Sequence, residues 1–204
     1  ALTDNNSLTT ETATGNINFK GAITTTGDFV TKGSGAIEFT SSLTAASVDT
    51  TTQSKTQLGG NVFTTGKQTY GNLQLDAANI SLSTNGNEVK FNGTVDSKAG
   101  LISNLSIDSP AGTNITFTGK VGNVNALGNI TTTTAGLTDF KDTVNAGIVK
   151  SNGTLGSTAF GGNVNAISVD TKSQATTQIS ANITTTGTQA YGGAVTLANN
   201  PTLT

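Results

Sequence analysis

The chain of 204 residues contains no cysteine, methionine, tryptophan, histidine or arginine, only two prolines and only ten aromatic residues. Each absence excludes something. Without Cys there is no disulfide framework and no thiolate nucleophile; without His as well there is no imidazole base and no zinc or iron–sulfur site of the usual kind. Without Arg, the ten lysines are scattered from Lys20 to Lys172 with no basic run, so the clustered cations that recognise phosphate are missing and no nucleic-acid partner is expected. No apolar stretch approaches the roughly 20 residues that span a bilayer, so membrane insertion is not expected. The opening Ala1-Leu-Thr-Asp-Asn lacks the basic-then-apolar pattern of a signal peptide. No cofactor is implied by any of this.

What is present is repetitive. Thr (41), Gly (25), Asn (22) and Ser (17) make up 105 residues. Leu, Ile, Val and Phe together number 46, which is low for a compact globule of this length and points to a thin, elongated core. The net charge of −2 is too small to keep a chain rich in Thr, Val and Ile expanded, so order is expected.

Residues 39–71 align without a gap to residues 160–192 at an offset of 121, with 16 identities in 33 positions. Ser47-Val-Asp-Thr50 returns as Ser168-Val-Asp-Thr171, and Thr64-Thr-Gly-Lys-Gln-Thr-Tyr-Gly71 as Thr185-Thr-Gly-Thr-Gln-Ala-Tyr-Gly192. A finer motif of aromatic, any residue, Gly, any residue, then Ile or Val begins at Phe19, Phe91, Phe117, Phe160 and Tyr191, with looser copies at Phe39, Tyr70 and Phe140. These openings follow one another at similar intervals, the widest being those from Phe39 to Tyr70 and from Phe160 to Tyr191. Of the ten aromatics only Phe29 and Phe63 stand outside the motif.

Period-two alternation precedes several copies, as in Ile17-Asn-Phe19, Ile37-Glu-Phe39, Val89-Lys-Phe91 and Ile115-Thr-Phe117, and places the apolar pair on one face of a short strand. Turn-forming groups such as Asn85-Gly86, Asn152-Gly153 and Ser109-Pro-Ala-Gly112 separate the strands, and no window carries a capped helical period. A solenoid brings like positions of consecutive coils into register about 4.8 Å apart, which explains why aromatics recur in phase; a sandwich has no need of this. The sequence predicts an all-β fold: a right-handed parallel β-helix (β-solenoid) of about eight coils with negligible helix, on the order of 40 Å long. It forms a single segment over 1–204, with Phe19, Phe39, Tyr70, Phe91, Phe117, Phe140, Phe160 and Tyr191 stacked as an internal ladder. Thr is expected on the outer face, where water satisfies its hydroxyl, and Asn at turns and in amide stacks between coils. The residues after Val195 carry no distinctive cap, so a longer rod, or end-to-end stacking on copies of the chain, is expected.

The segment Ile183-Thr-Thr-Thr-Gly-Thr-Gln-Ala-Tyr-Gly-Gly-Ala-Val-Thr-Leu197, its partner Val62 to Leu75, and Gly86-Asn-Glu-Val-Lys-Phe-Asn-Gly-Thr-Val-Asp96 resemble repeats of filamentous haemagglutinin-like adhesins. That family consists of large bacterial exoproteins exported by two-partner secretion. The resemblance implies a parallel β-helix that is secreted or held at the cell surface, with a structural or adhesive role.

Catalysis finds little support in the residues. Lyase chemistry on such folds uses an Arg base, and there is no Arg; glycoside hydrolysis uses two carboxylates across a cleft, whereas the nearest sequence pair, Asp139 and Asp142, flanks an inward Phe and reads as solvated turn residues. Asp49 and Asp170 recur in the duplicated block, which suits a turn role better than a unique active site. Calcium binding of the tandem Gly-Gly-x-Gly-x-Asp kind has no motif here, leaving at most a weak Ca²⁺ site among scattered acids. Thr-Thr-Thr at 24, 50, 131 and 184 is too irregular for an ice-binding face, and eight Asn-x-Ser/Thr sequons are close to chance for this composition. The expected function is a non-catalytic structural rod of an extracellular filament, sheath or adhesin. Its alternatives are a carbohydrate-binding module that uses one solenoid face for surface glycans, and a β-sandwich pilus subunit completed by a neighbour's strand.

Overall fold

A computed structural model describes residues 1–204. It contains 26 strands and no helix, and every strand pairing is parallel. Strands of eleven, ten and five form three sheets that wind as the faces of a β-solenoid. One coil is typical of the N-terminal half. Val62–Thr64 lies in the first sheet between Leu43–Ala45 and the strand Asn79–Thr84. Gln68–Tyr70 lies in the second, between Val48–Thr50 and Val89–Phe91. Leu73–Leu75 lies in the third, between Lys55–Leu58 and Val95–Ser97.

Alternation explains the cross-section. In Val62–Thr64, Gln68–Tyr70 and Leu73–Leu75 the outer two residues are buried and the middle one is exposed or half-buried. The flanking positions of each strand therefore fill the interior and the middle position meets solvent. Thirty-three buried apolar residues join into one core from Ile23 to Ile183.

The third sheet stops at Val95–Ser97, and its inner column continues through the bridges Val95–Val121 and Val121–Val144. From there it enters the strands Val144–Asn152 and Val164–Thr171, which cover two faces without a break. The first and third faces thus merge in the C-terminal half, because the corner between them straightens into continuous strand.

Tracing the columns gives about ten coils, not eight. Register partners such as Leu2 and Ile23, Leu43 and Val62, or Ile107 and Thr132 mark the length of a single coil. The two widest steps of the aromatic motif cover more than that: Phe39 lies on the third face and Tyr70 on the second, two coils on. The same holds from Phe160 on the second face to Tyr191 beside Thr171 on the first. At about 4.8 Å per coil the rod is roughly 45 Å long.

Glycine is required where backbones of successive coils nearly touch. Gly33 (φ +99°) and Gly153 (φ +133°) close turns whose β-carbon would be driven into the carbonyl oxygens of Thr12 and Thr134. Only Gly adopts these conformations without strain.

Candidate functional site

The eight rings expected in one ladder fall into three places. Tyr70, Phe91, Phe117, Phe140 and Phe160 form a continuous column on the second face, with centroids 5.6, 4.7, 4.7 and 5.5 Å apart and ring planes within 14° of parallel. All five are fully buried. Phe19 and Phe39 stack separately on the third face, 5.5 Å apart, and beyond Phe39 their column passes to Leu58 and Leu75. Phe29, outside the motif, packs edge-on against both at 5.8 and 5.3 Å. Tyr191 stands alone on the first face in register with Thr171.

The duplicated block explains Tyr191. Five coils and two faces separate the copies, so Ile183–Thr185 follows the third-face column of Val164, whereas its counterpart Val62–Thr64 lies on the first face. The local unit is kept although the face changes. Tyr70 Oη donates to Gln68 Oε1 at 2.9 Å, and Tyr191 Oη donates to Gln189 Oε1 at 2.9 Å. Gln68 Nε2 donates to Ser83 O at 2.9 Å, and Gln189 Nε2 to Thr204 O at 2.8 Å. Each unit therefore clips its tyrosine to the following coil. Burial raises the pKa of Tyr70 well above the ordinary phenol value, and that of half-buried Tyr191 up to about 12.

Threonine departs from its expected place. Thirteen of the 41 threonines are buried. Inside the solenoid several of their hydroxyls find partners on facing strands, Thr50 with Thr56 at 2.7 Å, Thr132 with Thr138 at 3.0 Å and Thr171 with Thr177 at 2.7 Å, whereas the buried Thr158 hydroxyl has none. Others return to backbone carbonyls, as Thr64 does to Gly66 O at 2.6 Å and Thr84 to Asn87 O at 2.8 Å. A hydroxyl that is satisfied in this way tolerates burial, and the β-branched shape still suits the strand. Asn side chains join coils, Asn104 Nδ2 donating to Asn79 Oδ1 and Asn165 Nδ2 to Asn145 Oδ1, both at 2.9 Å.

The acids singled out in the sequence serve local geometry. Asp49 Oδ1 accepts from Thr51 N at 3.0 Å and Thr51 Oγ1 at 2.7 Å, and Asp170 Oδ1 accepts from Lys172 N at 3.1 Å. Asp142 Oδ1 accepts from Thr143 N at 2.7 Å, while Asp139 lies 3.8 Å from Lys141.

A different pair of carboxylates meets on the outer side of the third face. Gln57 Nε2 donates to Glu38 Oε1 at 3.3 Å and to Asp76 Oδ2 at 2.7 Å. Asn18 Nδ2 donates to Glu38 Oε2, and Lys98 Nζ lies 2.6 Å from Asp76 Oδ2. Five coils are tied together by this row. Its signal in the sequence is the near-constant spacing of Asn18, Glu38, Gln57 and Asp76, one coil's length at each step, which a search for nearby acids misses. With an amide between them and a lysine on one, these carboxylates form a closed polar ladder; no three Asp or Glu residues converge as a metal site anywhere in the chain. No helix is long and apolar enough to cross a membrane.

Two open grooves mark the outer surface: one on the third face beside Asn16, Asn18 and Glu38, the other on the first face among Asn61, Asn79 and Asn104. Comparison with known proteins finds no matching family model, curated protein or solved structure. The likeness to haemagglutinin-like repeats stands on its quoted segments alone.

Proposed function

We propose that the chain is a non-catalytic structural rod of an extracellular filament, sheath or adhesin, secreted or held at the cell surface. The observation that carries this reading is the unbroken interior. Apolar, aromatic and hydroxyl columns run through consecutive coils, each coil hydrogen-bonded to the next, so the fold spans distance and resists unfolding along its length.

Apolar side chains of the inward columns stand open at both ends of the solenoid, which supports end-to-end stacking of copies. At one end Leu2 is 42% exposed and Leu8, Ile17 and Phe19 are half-buried; at the other Val195, Leu197 and Leu203 are exposed although they lie on inward-facing columns. Each end also presents the unpaired backbone of a strand edge, which a further coil satisfies. A second copy fits there, with Leu8 over Val195 and Ile17 over Leu203 following the columns.

Electron microscopy of the concentrated chain tests this reading. Rods that lengthen with concentration and give a repeat near about 4.8 Å along the axis support it. Val195→Lys with Leu197→Lys charges one end and should leave only short rods, while the fold is retained by circular dichroism. Wild-type rods that never exceed one chain at any concentration would count against it.

A further inference from the structure

The groove on the first face differs from the rest of the surface. It crosses four coils and encloses about 340 Å³ over a floor of Ile80 and Leu105 backbone, with Asn61, Asn79, Ser81, Asn104, Ser106, Asn129 and Thr131 around it. None of its lining residues is ionisable.

Its polar groups form two rows along the solenoid axis. Asn79 and Asn104 are in register with Asn129 following, and Ser81, Ser106 and Thr131 are in register beside them. Members of a row repeat about every 4.8 Å, and the rows are two residues, or about 7 Å, apart. The amides are held in fixed orientations. Asn104 Nδ2 donates to Asn79 Oδ1 at 2.9 Å, Asn104 Oδ1 accepts from Asn129 N at 2.7 Å, and Asn61 Oδ1 accepts from Ser81 N at 2.9 Å. This leaves Asn61 Nδ2, Asn79 Nδ2 and the hydroxyls of Ser81, Ser106 and Thr131 directed at solvent without a protein partner. The hydroxyl row ends at Lys150, one coil beyond Thr131 and outside the groove lining, with Asp170 in register beyond it. At the other end Phe63, 46% exposed, stands two residues from Asn61 on the same outward side.

We propose that this groove binds a neutral oligosaccharide lying along the solenoid axis. Sugar hydroxyls both donate and accept, matching a mixed row of amide donors and hydroxyls, and they need no counter-charge. An anionic chain would lack cations along the groove, and an apolar ligand would leave its amides unpaired. The Phe63 ring offers an apolar platform to the C–H face of a pyranose at the groove's end. Because the donors sit on strands of a stacked sheet, little ordering is lost on binding. The site does not depend on the rod being part of a filament.

The test is a titration of the chain, followed by amide and aromatic NMR shifts, with cellotetraose, chitotetraose and a linear galacto-oligosaccharide, and with polygalacturonate as the charged counterpart. At least one neutral chain should give saturable shifts centred on the Asn79 and Asn104 side chains and the Phe63 ring. Asn104→Ala should weaken that binding about tenfold, since it removes the second amide N–H of Asn104 and the hydrogen bond that orients the Asn79 amide toward the ligand. Ser106→Arg should block the groove, and Gln178→Arg on the outer side of the second face should change nothing. Asn104→Ala carries the test should Ser106→Arg not fold. Absence of saturable shifts with all three neutral chains, binding of polygalacturonate alone, or binding unchanged in a folded Asn104→Ala or Ser106→Arg variant would overturn the proposal.

Discussion

Truncating Phe117 to Ala probes the interior column at its middle. The ring is fully buried and lies 4.7 Å from both Phe91 and Phe140, inclined to them by 13° and 8°. Removing it deletes the apolar contacts of a whole aromatic side chain and leaves a cavity that the coils above and below, each fixed by its own backbone ladder, cannot close. The cost is about 3–5 kcal/mol. Phe117→Leu keeps much of the apolar volume and loses mainly the two ring pairs, so about 1–3 kcal/mol is expected. Phe63→Ala supplies the control, since that ring points outward and its loss should stay within about 0.5 kcal/mol. Equilibrium urea unfolding followed by far-ultraviolet circular dichroism reads all three, with the order Phe117→Ala, Phe117→Leu, Phe63→Ala expected. A Phe117→Ala variant no less stable than Phe63→Ala would refute an inward, stacked ring.

Three further outcomes follow from the same geometry. Tyr70 keeps its proton when folded to a higher pH than when unfolded, so its contribution is complete below about pH 10 and is lost as the pH rises further, by up to about 1.4 kcal/mol per pH unit. Tyr70→Phe should flatten the alkaline fall in stability measured by urea unfolding; equal slopes in the two proteins would contradict the buried phenol. Gly153→Ala places a β-carbon against Thr134 O at a positive φ and should cost about 1–3 kcal/mol, whereas Ala at the open Gly15 should cost far less in the same assay. Gln57→Leu removes the two hydrogen bonds that the amide gives to Glu38 and Asp76 and leaves the two carboxylates without it, so about 1–2 kcal/mol should be lost in the same assay; stability equal to the wild type would show that the ladder is not formed in solution.

Much of the architecture is visible in the sequence because a solenoid repeats its chemistry at each coil. Ile115-Thr-Phe117 shows which residues face inward, and the evenly spaced rings from Tyr70 to Phe160 trace one column. The count of coils is less legible, since the motif recurs on different faces and the step from Phe39 to Tyr70 looks like one long coil. The same ambiguity sets Tyr191 beside Phe160 in expectation, whereas a change of face separates them. Interior threonines are hidden for another reason. Whether a hydroxyl is tolerated in the core depends on a partner elsewhere around the cross-section, as Thr132 depends on Thr138, and alternation alone does not supply that partner. The Asn groove and the Glu38–Gln57–Asp76 row become visible only once the coil period is known, because neighbouring members of each lie a full coil apart.

Ring-to-ring nuclear Overhauser contacts in a chain with isotope-labelled phenylalanine test the stacked columns most directly. The structure predicts contacts from Phe91 to Phe117, Phe117 to Phe140 and Phe140 to Phe160, a separate group of Phe19, Phe29 and Phe39, and no ring contact to Phe63. Rings of the second face that show no contact with one another, or that contact Phe19 instead, would contradict it.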